Sequence, residues 1–581
     1  MNIPLRQYWT LLVDYLRPQR NRVWLLSGLL FTGIGLQLLN PQLMRYVIDS
    51  ALAQGPLESV TGAAVLFFAL AFIQQLTGVC ITYVSETIAW TATNNLRYDL
   101  AQHALRLDQS YHNIHTPGEM IERIDGDITI LSNFFSQFIV QLLGNGLLLV
   151  GVLILFLRED WRVCLVLTIF TVVTLLVLAK FRNIGVPYWK ELRQASGEMF
   201  GFIEERLAGT QDIRSSGAVP YVMRRFYELA RQVLAKQVRA SLMTNLMVNS
   251  TFILLAIGNA LAFVVSAYLF QRGEASIGTV YLIFYYTNLI SRPLDIITQQ
   301  LQDLQQAGAG IGRIKDLMSV QSQIIEGTIE TIQPGALDVQ FDQVTFGYDS
   351  SEVILDDFNF SLKAGRVLGL LGRTGSGKTT IARLLLRLYD PQSGAVRVNG
   401  VDLRELRFET LRRSVSLVTQ NVQLFNATVR DNLTLFDETI SDAQILSAIN
   451  DLGLGTWFSA LEHGLNTELA SGGSGLSAGE AQLLAFARIF LKKPGLVILD
   501  EASSRLDPAT ESLIERAIDK LTAGRTAIII AHRLATVTRA DDILIIEGGR
   551  ILEGGERVAL ANDPQTRFYQ LLQTGLEEML T

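Results

Sequence analysis

Six long uncharged apolar runs fill the first half of the chain, and they limit its possible folds more than any other feature. The runs are Val23–Met44, Ser59–Ser85, Ile128–Leu157, Val163–Ala179, Ser241–Gln271 and Ala275–Ser291. A helix needs roughly 20 apolar residues to cross a bilayer, with about 17 tolerated. A soluble core could imitate one such run but hardly six in succession. The sequence therefore predicts an all-α transmembrane domain with six spans in residues 1–320.

The composition supports a membrane protein and excludes several other classes. The chain is 49% hydrophobic and 18% charged, more apolar than an ordinary soluble enzyme. Its net charge of −7 gives no reason to expect nucleic acid as a partner. The two cysteines, Cys80 and Cys164, each lie in an apolar run, which favours simple packing over a disulfide framework or a zinc site.

The loops between the apolar runs differ in length and charge. Two are long, 86–127 and 180–240, and the second carries eleven Lys or Arg residues. The positive-inside rule places the N-terminus and both long loops in the cytoplasm. We expect 180–240 to fold back as two helical arms of about 30 residues, each reaching roughly 45 Å. The alternative is a pair of solvated hairpins that contact nothing.

The second half of the chain reads as a separate α/β domain. A linker at 321–335 leads into residues 336–581, where no comparable apolar run occurs. Leu337, Val339 and Phe341 alternate with polar residues, which is typical of a half-buried strand. The pattern resumes after a slip of one residue, so this strand is predicted to be irregular.

A phosphate-binding loop lies between a predicted strand and a predicted helix. The segment Gly372–Thr379 reads GRTGSGKT, follows the apolar strand Val367–Leu371 and leads into an apolar-faced helix. Backbone N–H groups and the helix dipole favour phosphate there. We expect Lys378 to neutralise the β- and γ-phosphates and Thr379 to offer its hydroxyl to Mg²⁺. The predicted nucleotide-binding residues are Gly372, Arg373, Thr374, Gly375, Ser376, Gly377, Lys378, Thr379 and Thr380.

Four further polar residues follow predicted strands of the same domain. Asp500 and Glu501 close the apolar strand GLVILDE. Asp500 suits a Mg²⁺ ligand acting through water, and Glu501 suits the base that polarises the attacking water. His532 follows a strand from which it could reach the γ-phosphate. Gln420 follows another and is a candidate ligand of Mg²⁺ and sensor of the water. Ligands are expected at the carboxyl ends of parallel strands.

The order and spacing of these motifs resemble the ATP-binding cassette (ABC) exporter half-transporters with six spans, over essentially the whole chain. By this resemblance, Tyr348 in FGYDS stacks on adenine, Gln420 is the Q-loop glutamine and Glu501 belongs to Walker B. Asp507 in SSRLD is the D-loop aspartate and His532 the switch histidine. The stretches YHNIHTPGEMIERIDGD and GTQDIRSSG are similar to those that contain the family's coupling helices.

The resemblance implies a dimer of two half-transporters that uses ATP and Mg²⁺. Each ATP lies between the Walker motifs of one subunit and the signature sequence of the other. ATP binding closes the cassettes and turns the membrane cavity outward, and hydrolysis resets it. ATP shifts this equilibrium only because it binds the closed dimer better than the open one.

The signature sequence departs from the family pattern LSGGQ, since it reads LSAGE here. Ser477 and Gly479 are still present to contact the γ-phosphate bound to the other subunit. Ala478 adds a methyl group where glycine allows close approach of the backbone. Glu480 adds negative charge near another anion, although a carboxylate at a helix start also has a favourable dipole interaction.

Two other positions in the cassette depart from the family pattern. Ser471 stands where the family usually has a glutamate, and Arg505 replaces a usually small D-loop residue. An intact Walker set beside an altered signature favours a heterodimer in which this chain carries the competent Walker set. The alternatives are a working homodimer with neutral sequence drift, and an ATP-gated channel or regulatory subunit that transports nothing actively.

The spans hold many uncharged polar residues but no Asp or Glu near a span centre. A proton relay or a counter-charge for a cation is therefore not evident. We expect a hydrophobic or amphipathic cargo, drug-like or lipid. The expected location is the bacterial inner membrane, with the cassette in the cytoplasm.

Overall fold

The computed structural model describes residues 13–349, 352–419, 422–470, 476–500, 508–531 and 534–574. The chain forms two compact units. The membrane unit comprises residues up to Leu105 together with Pro117–Val320. The cassette unit comprises Arg106–Thr116 together with the chain from Gln321 onward. A short stretch of the first long cytoplasmic loop therefore belongs to the second unit.

The membrane unit is entirely helical. The helices of this part of the chain are α1 (Arg20–Leu52), α2 (Leu57–Arg106), α3 (Gln109–Ile114), α4 (Pro117–Ile121), α5 (Asp127–Gln137), α6 (Gly144–Glu159), α7 (Trp161–Ala208), α8 (Thr210–Ser215), α9 (Val219–Gln271) and α10 (Ile277–Ser319). The short helix α3 lies in the cassette unit, and the others belong to the membrane unit. Two π-helical turns, Glu122–Gly126 and Phe138–Leu143, lie before and after α5.

Five helices in the described part of the chain are long and apolar enough to cross a membrane. They are Val13–Leu52, Leu57–Arg106, Val140–Glu159, Trp161–Leu178 and Val219–Gln271. A shorter apolar segment, Ile277–Ser291, opens α10. The apolar runs of the sequence lie on these segments and, for the first part of Ile128–Leu157, on α5 and the π-helical turn after it. The predicted helical transmembrane domain is confirmed.

The second long loop consists of helical arms. Helix α7 runs for 48 residues and α9 for 53, so both continue well past their apolar segments. The arms pack along each other, and α8 joins their ends. Trp189 donates a hydrogen bond of 3.2 Å to Thr244 across this pair, and Lys236 forms an ion pair with Glu191.

Polar side chains hold the ends of the membrane helices together. Asp49 at the end of α1 accepts hydrogen bonds from the Ser276 hydroxyl (2.7 Å) and the Gly278 N–H (2.8 Å), so it caps the start of α10. Arg45 pairs with Glu159 at 2.7 Å, which ties α1 to the end of α6. These contacts satisfy charges that would be costly inside a bilayer.

The cassette unit has an α/β fold. Its elements are β1 (Val339–Phe346), β2 (Leu355–Leu362), β3 (Val367–Gly372), α11 (Lys378–Leu385), β4 (Ser393–Val398), β5 (Val401–Asp402), α12 (Phe408–Ser414), β6 (Val415–Val418), β7 (Ala427–Thr428), α13 (Val429–Thr434), α14 (Asp442–Asp451), α15 (Gly455–Ser459), β8 (Glu468–Leu469), α16 (Ala478–Lys492), β9 (Leu496–Asp500), α17 (Pro508–Thr522), β10 (Thr526–Ile530), β11 (Asp542–Glu547), β12 (Arg550–Glu556), α18 (Arg557–Asn562) and α19 (Arg567–Thr574).

The main sheet places the predicted catalytic strands side by side. Its order is β12-β11-β3-β10-β9-β6, and all neighbours from β11 to β6 are parallel. A second, antiparallel sheet has the order β2-β1-β4-β5. Strand β1 is irregular, with a register shift between Phe341 and Val344, which agrees with the slip in its hydrophobic pattern. Gln343 has a φ of 47° at that bulge.

Residues 321–335, predicted to be a linker, lie on the cassette unit. The N–H groups of Gly327 and Ile329 donate to the carbonyls of Leu406 (3.2 Å) and Glu405 (2.9 Å). Arg407 returns a backbone bond of 3.0 Å to the Ile329 carbonyl. This segment is therefore fixed along much of its length, because its backbone polar groups find partners in the domain that follows.

Candidate nucleotide site

The phosphate-binding loop has a backbone that requires glycine. Gly372, Gly375 and Gly377 have φ values of 154°, 82° and 105°. Residues other than glycine rarely adopt these values. A Cβ on Gly372 would lie 2.3 Å from the Ile546 carbonyl oxygen, and one on Gly377 would lie 2.8 Å from a methyl of Leu355. The loop between β3 and α11 therefore requires glycine at positions 372 and 377.

Lys378 begins α11 and turns its ammonium back into the loop. It is 5% exposed, and its Nζ donates to the carbonyls of Gly372 (2.6 Å) and Arg373 (2.9 Å). The hydroxyl of Ser376 is also buried and has no hydrogen-bond partner among the described residues. An orphaned buried hydroxyl beside a buried cation fits a phosphate oxygen.

The residues predicted to hold Mg²⁺ include one pair that lies close together. The Thr379 hydroxyl is 3.4 Å from an Asp500 carboxylate oxygen, at the carboxyl end of β9. Hydroxyl and carboxylate oxygens are the donors that Mg²⁺ prefers, and the ion usually keeps several waters. The donor set therefore fits the cation.

Tyr348 lies against the helix that carries Lys378. Its hydroxyl is 3.0 Å from the Thr380 hydroxyl and accepts a bond of 2.8 Å from Arg383. The guanidinium of Arg383 lies 5.4 Å from the centre of the Tyr348 ring. Tyr348 is 40% exposed, so it retains open surface on which a planar base could stack.

Four predicted site residues, Gln420, Glu501, Asp507 and His532, lie outside the described residues. The strands that lead to three of them nevertheless end at one edge of the main sheet. Ile530 of β10 pairs with Asp500 of β9 and with Leu370 of β3, and Val418 of β6 pairs with Leu499. The carboxyl ends of β6, β9 and β10 therefore lie at the same edge of the sheet as the carboxyl end of β3, which leads into the phosphate-binding loop.

The altered signature forms a closed cap on its own helix. Ser477 is the N-cap of α16, and its N–H and hydroxyl both donate to one Glu480 carboxylate oxygen, at 2.8 and 2.9 Å. The Glu480 N–H returns a bond of 3.2 Å to the Ser477 hydroxyl. Ala478 is exposed and Gly479 is buried, while Ser471 and Arg505 lie outside the described residues. This reciprocal pair is a capping box.

Sequence reasoning missed several residues beside the site. Arg383 and Tyr389 surround Tyr348, and Asn113 donates a hydrogen bond of 2.7 Å to the Tyr389 hydroxyl. Arg383 could have been found from its position three residues after Thr380 on an amphipathic helix. Tyr389 and Asn113 are 276 positions apart, so no local sequence pattern could have predicted their contact.

A helical transmembrane domain joined to an ATP-binding α/β cassette defines a nucleotide-driven membrane transporter. Residues 23–294 match the ABC transporter transmembrane region and residues 355–504 match the ABC transporter cassette. The chain is 31% identical over 531 residues to the ATP-dependent lipid A-core flippase of Pseudomonas fluorescens, covering 90% of this chain and 86% of that one. It belongs to the ABC transporter family, as an exporter half-transporter.

Other relatives and a solved structure agree with this assignment. A protein named ATP-dependent lipid A-core flippase from Yersinia pestis is 30% identical over 526 residues, 89% of each chain. One of the same name from Alcanivorax borkumensis is 28% identical over 593 residues, 98% of each chain. The fold is similar to that of a bacterial Atm1-family ABC exporter with ATP bound, with a TM-score of 0.80, 24% identity and coverage of 96% and 98%.

Membership of this family shows the general activity of the chain. It is a multi-pass integral membrane protein that binds ATP, couples ATP hydrolysis to export or flipping, and works as a dimer. The predicted class, fold and enzymatic activity are therefore confirmed.

Proposed function

We propose that this chain is one half of an asymmetric heterodimer, in which it supplies the competent Walker set and a self-capped signature. The observation that carries this proposal is the bonding of Ser477 to Glu480. In the family arrangement, the signature serine and the helix N-terminus face the γ-phosphate held by the other subunit. Here the Glu480 carboxylate already accepts hydrogen bonds from the hydroxyl and the N–H of that serine.

The chemistry of the cap opposes phosphate binding at this signature. A phosphate that approaches Ser477 has to displace a carboxylate held by two hydrogen bonds, at 2.8 and 2.9 Å. It also meets the negative charge of that carboxylate at close range. A glutamine at 480 can accept the same bonds but carries no charge. The methyl of Ala478 further restricts close approach of the phosphate.

The hydrolytic side of this chain shows no comparable obstacle among the described residues. Lys378 and Ser376 are placed for phosphate oxygens, and Thr379 and Asp500 for Mg²⁺. Mg²⁺, when bound, would offset charge on the β- and γ-phosphates. We assign Glu501 as the base that orients water, with Gln420, Asp507 and His532 completing the site. Tyr348 is assigned to adenine.

The proposed cargo is a lipid or another amphipathic molecule. Relatives named lipid A-core flippases cover nearly the whole chain. The membrane unit also contains uncharged polar pairs within its apolar helices. Asn259 and Asn288 exchange two hydrogen bonds, at 3.2 and 3.1 Å, between α9 and α10. Such neutral amides tolerate an amphipathic molecule better than a fixed charge does.

Transport is tested in inside-out vesicles from a bacterial host, where the proposed inner-membrane topology puts the cassettes outside. A fluorescent lipid added to these vesicles should accumulate with Mg-ATP, and Lys378→Ala should abolish the accumulation. Equal accumulation with a non-hydrolysable ATP analogue would instead identify an ATP-gated channel.

The composition of the assembly is tested by native mass spectrometry of the complex purified through a tag on this chain. A heterodimer predicts a total mass that differs from twice 64.4 kDa. A complex that contains only this chain contradicts the proposal.

A further inference from the structure

Tyr389 lies between Tyr348 and α3, within the cassette unit that contains all three. It is 8% exposed, and its ring meets the Tyr348 ring edge-on, with 5.2 Å between centroids. Its hydroxyl accepts a hydrogen bond of 2.7 Å from the Asn113 amide on α3. One side chain therefore touches both the aromatic assigned to adenine and the short helix that follows spanning helix α2.

Helix α3 is held on the cassette unit at both ends. At its start, Asp108 accepts hydrogen bonds from the Ser322 hydroxyl and from the Gln323 N–H, the latter at 2.7 Å. Near its end, Asn113 reaches Tyr389. Only two residues, Leu107 and Asp108, separate the end of α2 from the start of α3.

Helix α11 connects the phosphate loop to the same place. Lys378 begins this helix, and Arg387 follows its end with a φ of 50°, a conformation that a residue with a side chain adopts only under constraint. The Arg387 side chain is 3% exposed, pairs with Asp390 at 2.9 Å and donates a bond of 2.7 Å to the Ile325 carbonyl. These bonds fix the turn that carries Tyr389.

We propose that Tyr389 is a positioning residue that transmits nucleotide occupancy at Tyr348 to α3. This inference rests on the assignment of Tyr348 to adenine in the proposed function. A base stacked on Tyr348 restricts that ring, its edge contact restricts Tyr389, and the Tyr389 hydroxyl then holds Asn113. Tyr389 acts without touching the nucleotide, so its loss uncouples α3 from ATP while ATP still binds.

The test is hydrogen exchange of residues 109–114 in the full-length chain in lipid nanodiscs, with and without Mg-ATPγS, alongside the nucleotide Kd. Nucleotide should slow exchange of α3 in the wild type. Tyr389→Phe, which keeps the ring, and Asn113→Ala should each reduce that slowing by about fivefold, the effect of one neutral hydrogen bond. Their Kd should stay within about twofold of wild type. In Asn113→Asp, the carboxylate can accept a hydrogen bond from the Tyr389 hydroxyl, so nucleotide should slow exchange of α3 as it does in the wild type.

Tyr569→Phe is the matched control, since it removes a hydroxyl from α19 of the same cassette and should leave the response unchanged. The inference is overturned if nucleotide slows exchange of α3 as much in Tyr389→Phe as in the wild type. It is also overturned if the slowing is reduced but the nucleotide Kd of Tyr389→Phe rises by the same factor. Tyr348→Ala separates the two proposals. Normal nucleotide affinity in that variant refutes the assignment of Tyr348 to adenine, whatever Tyr389→Phe shows.

Discussion

Ser477 and Glu480 lie at the start of α16, within the signature sequence LSAGE. The sequence indicated only that a negative charge stands near a phosphate. The structure adds that the carboxylate engages the Ser477 N–H and hydroxyl, since the two residues are three apart at a helix start. The serine is present, but its donors are already bonded.

Glu480→Gln should therefore raise ATP turnover of this chain purified without a partner, where it must supply both signatures. We expect an increase of about tenfold, because a charge-assisted hydrogen bond contributes roughly 1.5 kcal/mol or more. The measurement is steady-state phosphate release in nanodiscs. Glu462→Gln, which removes an exposed charge from the same cassette, is the control. Unchanged turnover in Glu480→Gln contradicts the role given to the cap.

Thr379→Val tests the metal assignment at the residue scale. Loss of the hydroxyl should weaken binding of Mn²⁺, used as a paramagnetic substitute for Mg²⁺ with ATP present, by at least about tenfold. Binding of ATP without metal should be unchanged. Electron paramagnetic resonance of free Mn²⁺ measures the affinity. Thr456→Val, which removes an exposed hydroxyl elsewhere in the same cassette, is the comparison. Equal Mn²⁺ affinity in the two variants would exclude Thr379 as a ligand.

At the element scale, the loop between β3 and α11 depends on two glycines for different reasons. Gly375 and Gly377 both have positive φ values, 82° and 105°. A Cβ on Gly375 meets nothing within 4 Å, whereas one on Gly377 lies 2.8 Å from Leu355. Alanine costs about 1–2 kcal/mol in backbone strain at either position, and at Gly377 the contact with β2 adds to it.

Gly377→Ala should consequently weaken ATP binding more than Gly375→Ala, and it should also lower the thermal midpoint of the cassette. Isothermal titration with ATP and a thermal unfolding scan measure the two effects. The prediction fails if Gly375→Ala is the more damaging substitution in both measurements.

Elements with strong local signals were predictable from the sequence. The strand before Gly372, the loop and the helix after Lys378 follow from a short motif in an apolar context. The register slip in β1 was visible because its hydrophobic alternation broke at one point. The path from Tyr348 through Tyr389 to Asn113 was not predictable, since it depends on tertiary contacts between distant residues.

At the scale of the whole molecule, six apolar runs were enough to predict a helical membrane domain. They could not show that residues 106–116 belong to the cassette unit, because this depends on the bonds of Asp108 and Asn113. Nor could composition show that 321–335 lies on the cassette.

In the assembled transporter, Glu501→Gln should keep ATP affinity and lose most turnover, because the base that orients water is gone. The substitution is made in this chain alone, and the complex is purified through its tag. Near-wild-type phosphate release in this variant contradicts the assignment of Glu501 and places the competent site in the other subunit.

In the proposed heterodimer, the competent site needs a signature from another chain. The most direct test measures ATP turnover per molecule of this chain in two nanodisc preparations, the chain alone and the complex from native membranes. The proposed heterodimer predicts weak turnover for the chain alone and brisk, cargo-stimulated turnover for the complex. A stable homodimer of this chain with brisk, cargo-stimulated hydrolysis would contradict it.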